Sequence, residues 1–219
     1  MLLTLPDVSS RVKRPSGQHH GDLRNALEEA ALGLMAEVGP KGFSLAEATR
    51  RAGVSVAAPY RHYADRDALL AALARRCYAE QRRRFEIAIG TAADPVEQLA
   101  SFASAYVQFA FEELALFQVT FAAGLDKSDY PELTDAGEAV LAVLRAPAGE
   151  LRSTPEDALE LVLTVAAAAH GLSVFLLEGV FGDASAAVDA TRARAAEVAR
   201  AIAGAGQASL SSRPKRGRT

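Results

Sequence analysis

The sequence predicts an all-α fold, in which a small three-helix domain at the amino end is followed by a larger helical domain. Alanine, the residue with the highest helix propensity, accounts for 47 of the 219 residues. Aromatic strand formers are sparse, with 9 Phe, 5 Tyr and no Trp. Apolar residues recur at intervals of three and four along much of the chain, which is the period of an amphipathic helix.

A first helix is predicted from the apolar stripe that runs from about Leu23 to Val38. Asp22 is placed to cap its start, and Gly39-Pro40 is placed to end it. Residues 1–18 contain prolines and a glycine that oppose regular structure, so we expect a disordered arm there.

Two short helices are predicted next, joined by a turn that contains Gly53. Ser44 opens a capping box for one of them, and Ser55 can cap the other, which would run to about Tyr63. This arrangement is typical of a helix-turn-helix domain, predicted here over residues 19–65, whose second short helix lies in the DNA major groove. An ordinary alanine-rich three-helix domain would show the same spacing.

Pro59 is unusual within this last short helix. Counted from Ser55 as the cap, it occupies the fourth helical position and removes the first intrahelical hydrogen bond. We therefore expect a small bend or a tightened first turn.

The rest of the chain is predicted to be a connecting helix, residues 66–90, and a helical body, residues 91–205. The connecting helix should bury Leu69, Leu70, Leu73, Cys77 and Phe85. Helices of the body are predicted over residues 95–112, 113–123, 131–146, 155–180 and 184–204. The basic tail, residues 206–219, is predicted to be disordered.

Charge is divided unevenly between the two regions. Residues 1–90 contain 14 Lys or Arg and 10 Asp or Glu, whereas residues 91–219 contain 10 and 17. A basic amino-terminal region joined to an acidic body suggests a nucleic-acid-binding module attached to a second domain. The overall net charge of −3 conceals this division.

The sequence predicts a cytoplasmic protein with no membrane segment, metal or cofactor. The single cysteine, Cys77, excludes a disulfide framework and a cysteine-based zinc finger. Residues 1–21 contain no apolar run of signal-peptide length. The uncharged stretch 161–177 is shorter than the roughly 20 residues that span a bilayer, so we expect a buried core helix there.

Several motifs follow one another at intervals that match a known family. They are His19–Arg24, Gly42–Leu45, Gly53–Tyr63 and Asp65–Leu70. Together they resemble the amino-terminal DNA-binding domain of TetR-type transcriptional regulators, over about residues 19–75. Ala169-His170-Gly171 resembles the Trp-His-Gly signature of one class of TetR-like carboxy-terminal domains, with Ala169 in place of Trp. The resemblance implies an all-helical homodimer, usually a repressor, that a small ligand releases from a palindromic operator on double-stranded DNA.

DNA contacts are expected at the starts and exposed sides of the short helices. Arg61 can reach a guanine edge or a phosphate, and hydroxyl and imidazole groups can donate to phosphates. The alternative of packing between helices is favoured for Tyr63 but not for Tyr60. The predicted DNA-binding residues are Ser44, Thr49, Arg50, Ser55, Val56, Ala57, Ala58, Tyr60, Arg61, His62 and Arg66.

The body contains six aromatic residues between positions 102 and 121. Such a cluster can line an apolar ligand cavity with a few polar groups, or it can form an ordinary core. For the lone His170, a buried hydrogen-bonded role is favoured over a ligand contact. The predicted ligand-binding residues are Phe102, Tyr106, Phe109, Gln118, Phe121 and His170.

The last helix carries a narrow seam of apolar and small residues at intervals of three and four, a pattern typical of helix pairing. Together with the preceding helix it suggests a two-fold, four-helix dimer interface. Packing within one chain is the alternative. The predicted interface residues are Val165, Ala169, Leu172, Val188, Thr191, Ala195, Val198 and Ile202.

No motif predicts an enzyme: the sequence lacks a glycine-rich phosphate loop, a Gly-x-Ser-x-Gly elbow and a His-Glu-x-x-His zinc motif. A ligand-released repressor is the leading hypothesis. A ligand-responsive activator of the same fold is the second, and a helical enzyme with an unrecognised site is the third.

Overall fold

The amino-terminal domain begins with a longer helix than the sequence predicts. The computed structural model describes residues 16–55, 57–121 and 124–211, with side chains between 23 and 205 of those ranges except that of Lys127. Helix α1 spans Ser16–Gly42, so the predicted start with Asp22 as its cap is wrong. Gly39-Pro40, predicted to end this helix, instead kinks it: at Gly39 φ is 73° and ψ is 163°, and the helix runs on to Gly42.

Helix α2, Leu45–Arg51, is short and is capped as predicted. The Ser44 hydroxyl accepts a hydrogen bond from the backbone N–H of Glu47 at 3.2 Å, which satisfies one of the free amides at the helix start. Gly53 follows with a φ of 68°, a left-handed conformation that favours glycine. The turn between the two short elements is therefore confirmed.

The next element is a 3₁₀ turn, Pro59–Arg61, and not the α-helix predicted from Ser55 to Tyr63. Ala58 N–H donates to the carbonyl of Ser55 at 2.9 Å, three residues back, which is the spacing of a 3₁₀ turn. Pro59 has no N–H to continue an α-helix, and it is buried. The tightened turn predicted from Pro59 is confirmed. We call residues 57–63 the recognition turn.

Helix α3, Arg66–Gly90, connects the amino-terminal domain to the body. Asp65 caps it by accepting a hydrogen bond from Ala68 N–H at 2.8 Å. The predicted inner side is confirmed, since Leu69, Leu70, Leu73, Cys77 and Phe85 are all fully buried.

Six further α-helices form the described part of the body: α4 Pro95–Glu112, α5 Leu114–Phe121, α6 Pro131–Ala142, α7 Arg145–Leu151, α8 Pro155–Leu177 and α9 Ala184–Ser211. The predicted helix 131–146 is divided at residues 143–144. Pro147, predicted to break the chain, lies instead in the first turn of α7, where its missing N–H has no intrahelical partner to lose.

Both chain ends are more helical than predicted. Helix α1 begins at Ser16, within the range 1–18 predicted as a disordered arm, and α9 continues to Ser211, past the predicted start of the tail at 206. Residues 1–15 and 212–219 lie outside the described residues.

Helix α4 lies at the centre of the body, packed against α3, α7, α8 and α9. The aromatic core forms where α4 meets α3: the ring of Phe85 lies 4.8 Å from that of Phe102, 5.6 Å from that of Tyr106 and 6.4 Å from that of Phe109. The short helix α5 contacts both α1 and α3, so it joins the body to the amino-terminal domain.

An ion-pair cluster joins α3 to the end of α4. The guanidinium of Arg84, on α3, contacts Glu80 at 2.7 Å, Glu113 at 2.6 Å, and Glu112. Hydrogen bonds from Arg83 and from Arg84 to the Glu80 carboxylate lower its pKa to about 2. Because Glu112 and Glu113 end α4 immediately before α5, the cluster fixes the corner between those helices to α3.

Helix α8 has one buried and one open side. Leu161, Val165 and Leu176 are buried, as predicted for a core helix, but Leu159, Leu163 and Phe175 are about half exposed. By length and composition alone α8 is apolar enough to cross a membrane, a test that core helices of soluble proteins also pass. Its packing on α4, α7 and α9 explains one side of this apolar surface and leaves the other open.

Candidate nucleic-acid interface, effector site and dimer face

The recognition turn presents two side chains to solvent and buries two others beneath them. Tyr60 is 62% exposed and Arg61 is also exposed, whereas Pro59 and Tyr63 are buried. Within the described part of the chain, Arg61 has no ion-pair or hydrogen-bond partner for its guanidinium. A planar, uncommitted guanidinium on a projecting turn can bond to a guanine edge or to a phosphate.

The other predicted residues of this turn lie at different depths. Ser55 and Ala57 are exposed, while Ala58 and His62 are half-buried. Val56 lies outside the described residues. The packing expected for Tyr63 and the exposure expected for Tyr60 are both confirmed.

On α2, the predicted DNA-binding residues are only partly on the surface. Ser44 and Arg50 are exposed, although the Arg50 guanidinium is paired with Glu47 at 2.6 Å. Thr49 is 3% exposed, and its hydroxyl donates to the Leu45 carbonyl at 2.6 Å. Thr49 is therefore corrected to a buried residue, because a β-branched side chain turned toward the core satisfies its hydroxyl within the helix.

Arg66 is also committed to the domain itself. Its guanidinium donates to the Pro40 carbonyl at 3.0 Å, pairs with Asp67 at 2.8 Å and lies over the Phe43 ring. It ties the start of α3 to the end of α1, and a DNA contact would compete with these bonds.

One cation near this surface was missed by the sequence analysis. Lys41 is exposed, three residues before Ser44, and has no described ion-pair or hydrogen-bond partner. The available signal was its place at the end of α1, just before the cap of α2, where a free amide group already favours an anion.

In the body, a tyrosine and a histidine are paired within an aromatic cluster. The Tyr106 hydroxyl lies 3.1 Å from His170 Nδ1, and the rings of Phe117 and Phe121 lie 5.4 and 4.5 Å from that of His170. Burial lowers the pKa of His170, so its imidazole is neutral at neutral pH, and burial raises the pKa of the Tyr106 hydroxyl. The hydrogen bond predicted for His170 is confirmed, but the ring is half-buried and not fully buried as predicted.

Not all of the predicted ligand-binding residues belong to this cluster. Phe102 and Phe109 are fully buried against Phe85 and are corrected to core residues. Phe121 is 52% exposed and Gln118 is half-buried, so both remain accessible. The sequence could not separate these groups, because an apolar cavity and an apolar core use the same residues at the same spacing.

The predicted dimer interface is largely internal. Val165, Ala169, Thr191 and Ala195 are at most 2% exposed within a single chain. They are corrected to packing residues of the body, because the seam on α9 faces α4 and α8 of the same chain. Leu172, Val188, Val198 and Ile202 are half-buried.

Each of the same two helices also has an open side. On α8 it consists of residues spaced by four and eight, and on α9 of alanines spaced by three, four and eight. We call this the α8–α9 face; its members are Leu159, Leu163, Ala167, Phe175, Ala186, Ala190, Ala193 and Ala201.

Comparison with known proteins agrees with this architecture. The sequence model described as "Bacterial regulatory proteins, tetR family" matches residues 27–73, and the one described as "Tetracyclin repressor-like, C-terminal domain" matches residues 99–204. No curated protein matches the chain.

Solved structures with the same fold include several regulators. A Rhodococcus sp. RHA1 protein of unknown function is 29% identical, with a TM-score of 0.67 over 86% of this chain and 98% of that one. A tetR-family regulatory protein from Rhodococcus RHA1 is 17% identical, with a TM-score of 0.66 over 83% and 96%. A TetR-family transcription regulator from Marinobacter aquaeolei VT8 is 19% identical, with a TM-score of 0.65 over 85% and 97%.

The first family model matches the helix-turn-helix domain and the second matches the helical body, in the same order along the chain as in the structure. The chain belongs to the TetR family of helix-turn-helix, DNA-binding transcriptional regulators.

Proposed function

We propose that the protein is a homodimeric, cytoplasmic repressor that binds a palindromic operator and leaves it when a small, mostly apolar ligand binds the body. The observation that carries this proposal is the recognition turn. It projects Arg61, uncommitted in the described chain, and the half-exposed ring of Tyr60 from a base anchored by Pro59 and Tyr63.

On DNA, the recognition turn enters the major groove and α2 lies along the phosphates. Arg61 reads a guanine edge, and the small Ala57 and Ala58 allow the backbone to approach the bases. Ser44, Ser55 and Lys41 bind phosphates, while Arg50 exchanges its exposed pair with Glu47 for a phosphate. This division leaves sequence discrimination to the turn and affinity to the surrounding cations and hydroxyls.

The dimer forms through the α8–α9 face. Leu159, Leu163 and Phe175 leave an apolar strip on α8, and the exposed alanines of α9 allow a second copy to approach closely. A two-fold arrangement of this strip makes a four-helix contact and places two recognition turns on successive half-sites.

The effector binds beside Tyr106 and His170, where an apolar ring surface surrounds one hydrogen-bonding pair. Since the pKa of His170 is lowered by burial, the site offers a neutral donor or acceptor, which suits an uncharged, mostly apolar ligand.

The DNA assignment is tested by measuring the affinity of the purified protein for DNA from the promoter region adjoining its gene. Arg61→Ala should weaken binding to the palindrome about a hundred-fold or more, because one bidentate base contact contributes about ten- to a hundred-fold and the dimer loses two. Arg145→Ala is the matched control, because Arg145 is also exposed and without a described partner but lies on α7 in the body. Equal affinities of the wild type and Arg61→Ala would reject the assignment, and a reporter in a deletion strain separates repression from activation.

A further inference from the structure

The recognition turn is only weakly fixed by its own backbone. Its hydrogen bonds are local: Arg61 N–H donates to the Ala58 carbonyl at 3.3 Å, and Tyr63 N–H donates to the Pro59 carbonyl at 2.9 Å. A single 3₁₀ turn lacks the repeated bonds that orient an α-helix of several turns. The direction in which the turn presents Arg61 must therefore be set by contacts with the rest of the domain.

One such contact is a hydrogen bond from the end of the turn to a buried carboxylate. The Tyr63 hydroxyl donates to Glu28 Oε1, on α1, at 2.7 Å. Tyr63 is 4% exposed and Glu28 is 7% exposed, so water competes little for either group. Burial, and the hydrogen bond to Glu28, raise the pKa of Tyr63 to about 12, so the hydroxyl keeps its proton at neutral pH.

Two arginines hold the carboxylate in place. Arg24 Nε donates to Glu28 Oε1 at 3.0 Å from one turn earlier on α1. Arg76 Nη1, on α3, lies 3.8 Å from Glu28 Oε2 and 2.6 Å from Glu29 Oε1. A buried carboxylate is stabilised when it has cationic partners and a hydroxyl donor, and it is destabilising when these partners are removed.

These contacts join α1, α3 and the recognition turn at a single carboxylate, that of Glu28. We propose that Glu28 is a positioning residue for DNA recognition, which fixes the orientation of the recognition turn through the hydroxyl of Tyr63. The inference rests on the proposed function and adds to it a residue on α1 that reaches no base.

The expected consequence is a change in the fraction of molecules that are ready to bind. Without the hydroxyl bond, the turn samples orientations that do not fit the major groove, and the apparent affinity falls by the competent fraction. A hydrogen bond to a charged group changes an equilibrium by about ten-fold or more. The loss should therefore lie in the association rate. The salt dependence of binding should keep its slope, because no phosphate contact is removed.

The test compares Tyr63→Phe, Glu28→Met and the double variant with wild type, under conditions in which denaturant titration shows every protein to be folded. Tyr63→Phe should bind the operator about a hundred-fold more weakly, about ten-fold for each of the two turns of the dimer, with a slower association rate and a dissociation rate changed less than about two-fold. In the Glu28→Met background, which lacks an acceptor for the Tyr63 hydroxyl, the same substitution should cost less than about two-fold, because the two groups share one bond. Tyr78→Phe, which removes a hydroxyl from a buried tyrosine of α3, is the control and should bind as wild type.

A second measurement needs no DNA. Amide hydrogen exchange at His62 and Tyr63, whose N–H groups both donate to Pro59, should be about ten-fold faster in Tyr63→Phe than in wild type. Unchanged exchange would overturn the inference even if no operator were found, whereas failure of the wild type to bind DNA would reject the proposed function alone. Lower stability with unchanged operator affinity, a loss confined to the dissociation rate, or independent losses in the double variant would also overturn it.

Discussion

Replacing Leu163 by Asp should convert the proposed dimer to a monomer without unfolding the chain. Leu163 is 49% exposed and lies one helical turn from Leu159, which is 53% exposed, on the open side of α8. A residue on this side supports the fold little, because its outer half packs against nothing within the chain. In a two-fold dimer, the substitution acts twice.

The size of the effect follows from the exposed fraction of the side chain. Complete burial of a leucine contributes about 1.5–3 kcal/mol, so the half that is still exposed has about 1 kcal/mol left to contribute, or about 2 kcal/mol for both copies. Two carboxylates in the contact, without partners, each add a desolvation penalty of at least about 1 kcal/mol. The total of about 4 kcal/mol or more weakens dimerisation about a thousand-fold.

Sedimentation velocity over a concentration series measures this directly. Wild type should sediment as a dimer at micromolar concentration, and Leu163→Asp as a monomer with the same far-ultraviolet circular dichroism. The matched control is Val38→Asp, because Val38 is 52% exposed on α1, away from the α8–α9 face, and should leave the dimer intact. A monomeric wild type, or a Leu163→Asp variant as dimeric as wild type, would refute the assignment of the α8–α9 face. Association only with lipid vesicles would identify a membrane as what covers it.

Three further predictions concern the fold. Phe85→Ala should lower the free energy of unfolding by about 3–5 kcal/mol in urea titrations, since the ring is fully buried against three others, and a loss below about 1 kcal/mol would contradict its central place. Gly53→Ala should lower it by about 1 kcal/mol through backbone strain alone, because φ is +68° and a new Cβ would meet no atom within 4 Å; an unchanged stability would mean that the turn does not hold this conformation. The pKa of Glu80 is about 2 in the folded protein and its ordinary value is 4.5, so its ion pairs stabilise the fold above about pH 4.5 and this stabilisation is lost as the pH falls toward 2. Glu80→Gln should therefore flatten the fall in urea midpoint between pH 5 and pH 3. Parallel plots of urea midpoint against pH for the wild type and the variant would contradict this.

Local sequence signals predicted most of the amino-terminal domain correctly. The caps at Ser44 and Asp65, the turn at Gly53 and the tightening at Pro59 depend on neighbouring residues, so they can be recognised in the sequence. The length of the element after Gly53 was not predictable in the same way. Alanines and one serine permit a helix there, and the buried packing of Pro59 and Tyr63 decides in favour of a single 3₁₀ turn.

The body shows where sequence reasoning fails. Thr191 and Ala195 form a seam suited to a partner helix, and the seam indeed meets helices, but these belong to the same chain. The spacing of the apolar residues predicts that another helix packs on the seam, but it does not indicate whether that helix belongs to the same chain or to a partner. Likewise, Phe102 and Phe109 are fully buried whereas Phe121 is half exposed. This difference depends on how α3 packs across α4, which the spacing of aromatic residues does not predict.

The proposed effector site and the proposed tether of the recognition turn are joined through α1. Helix α5 carries Phe117 and Phe121 against His170, and the same short helix contacts α1. Glu28 lies on α1 and bonds to Tyr63. We expect a ligand that displaces Phe121 from His170 to shift α5, and to shift Glu28 relative to the recognition turn through the contact between α5 and α1. Since coupling between two binding sites is reciprocal, the operator should weaken ligand binding by the same factor as the ligand weakens operator binding. Tyr63→Phe should reduce both factors together, because it removes the hydrogen bond between Glu28 and the recognition turn, the last contact between the two sites.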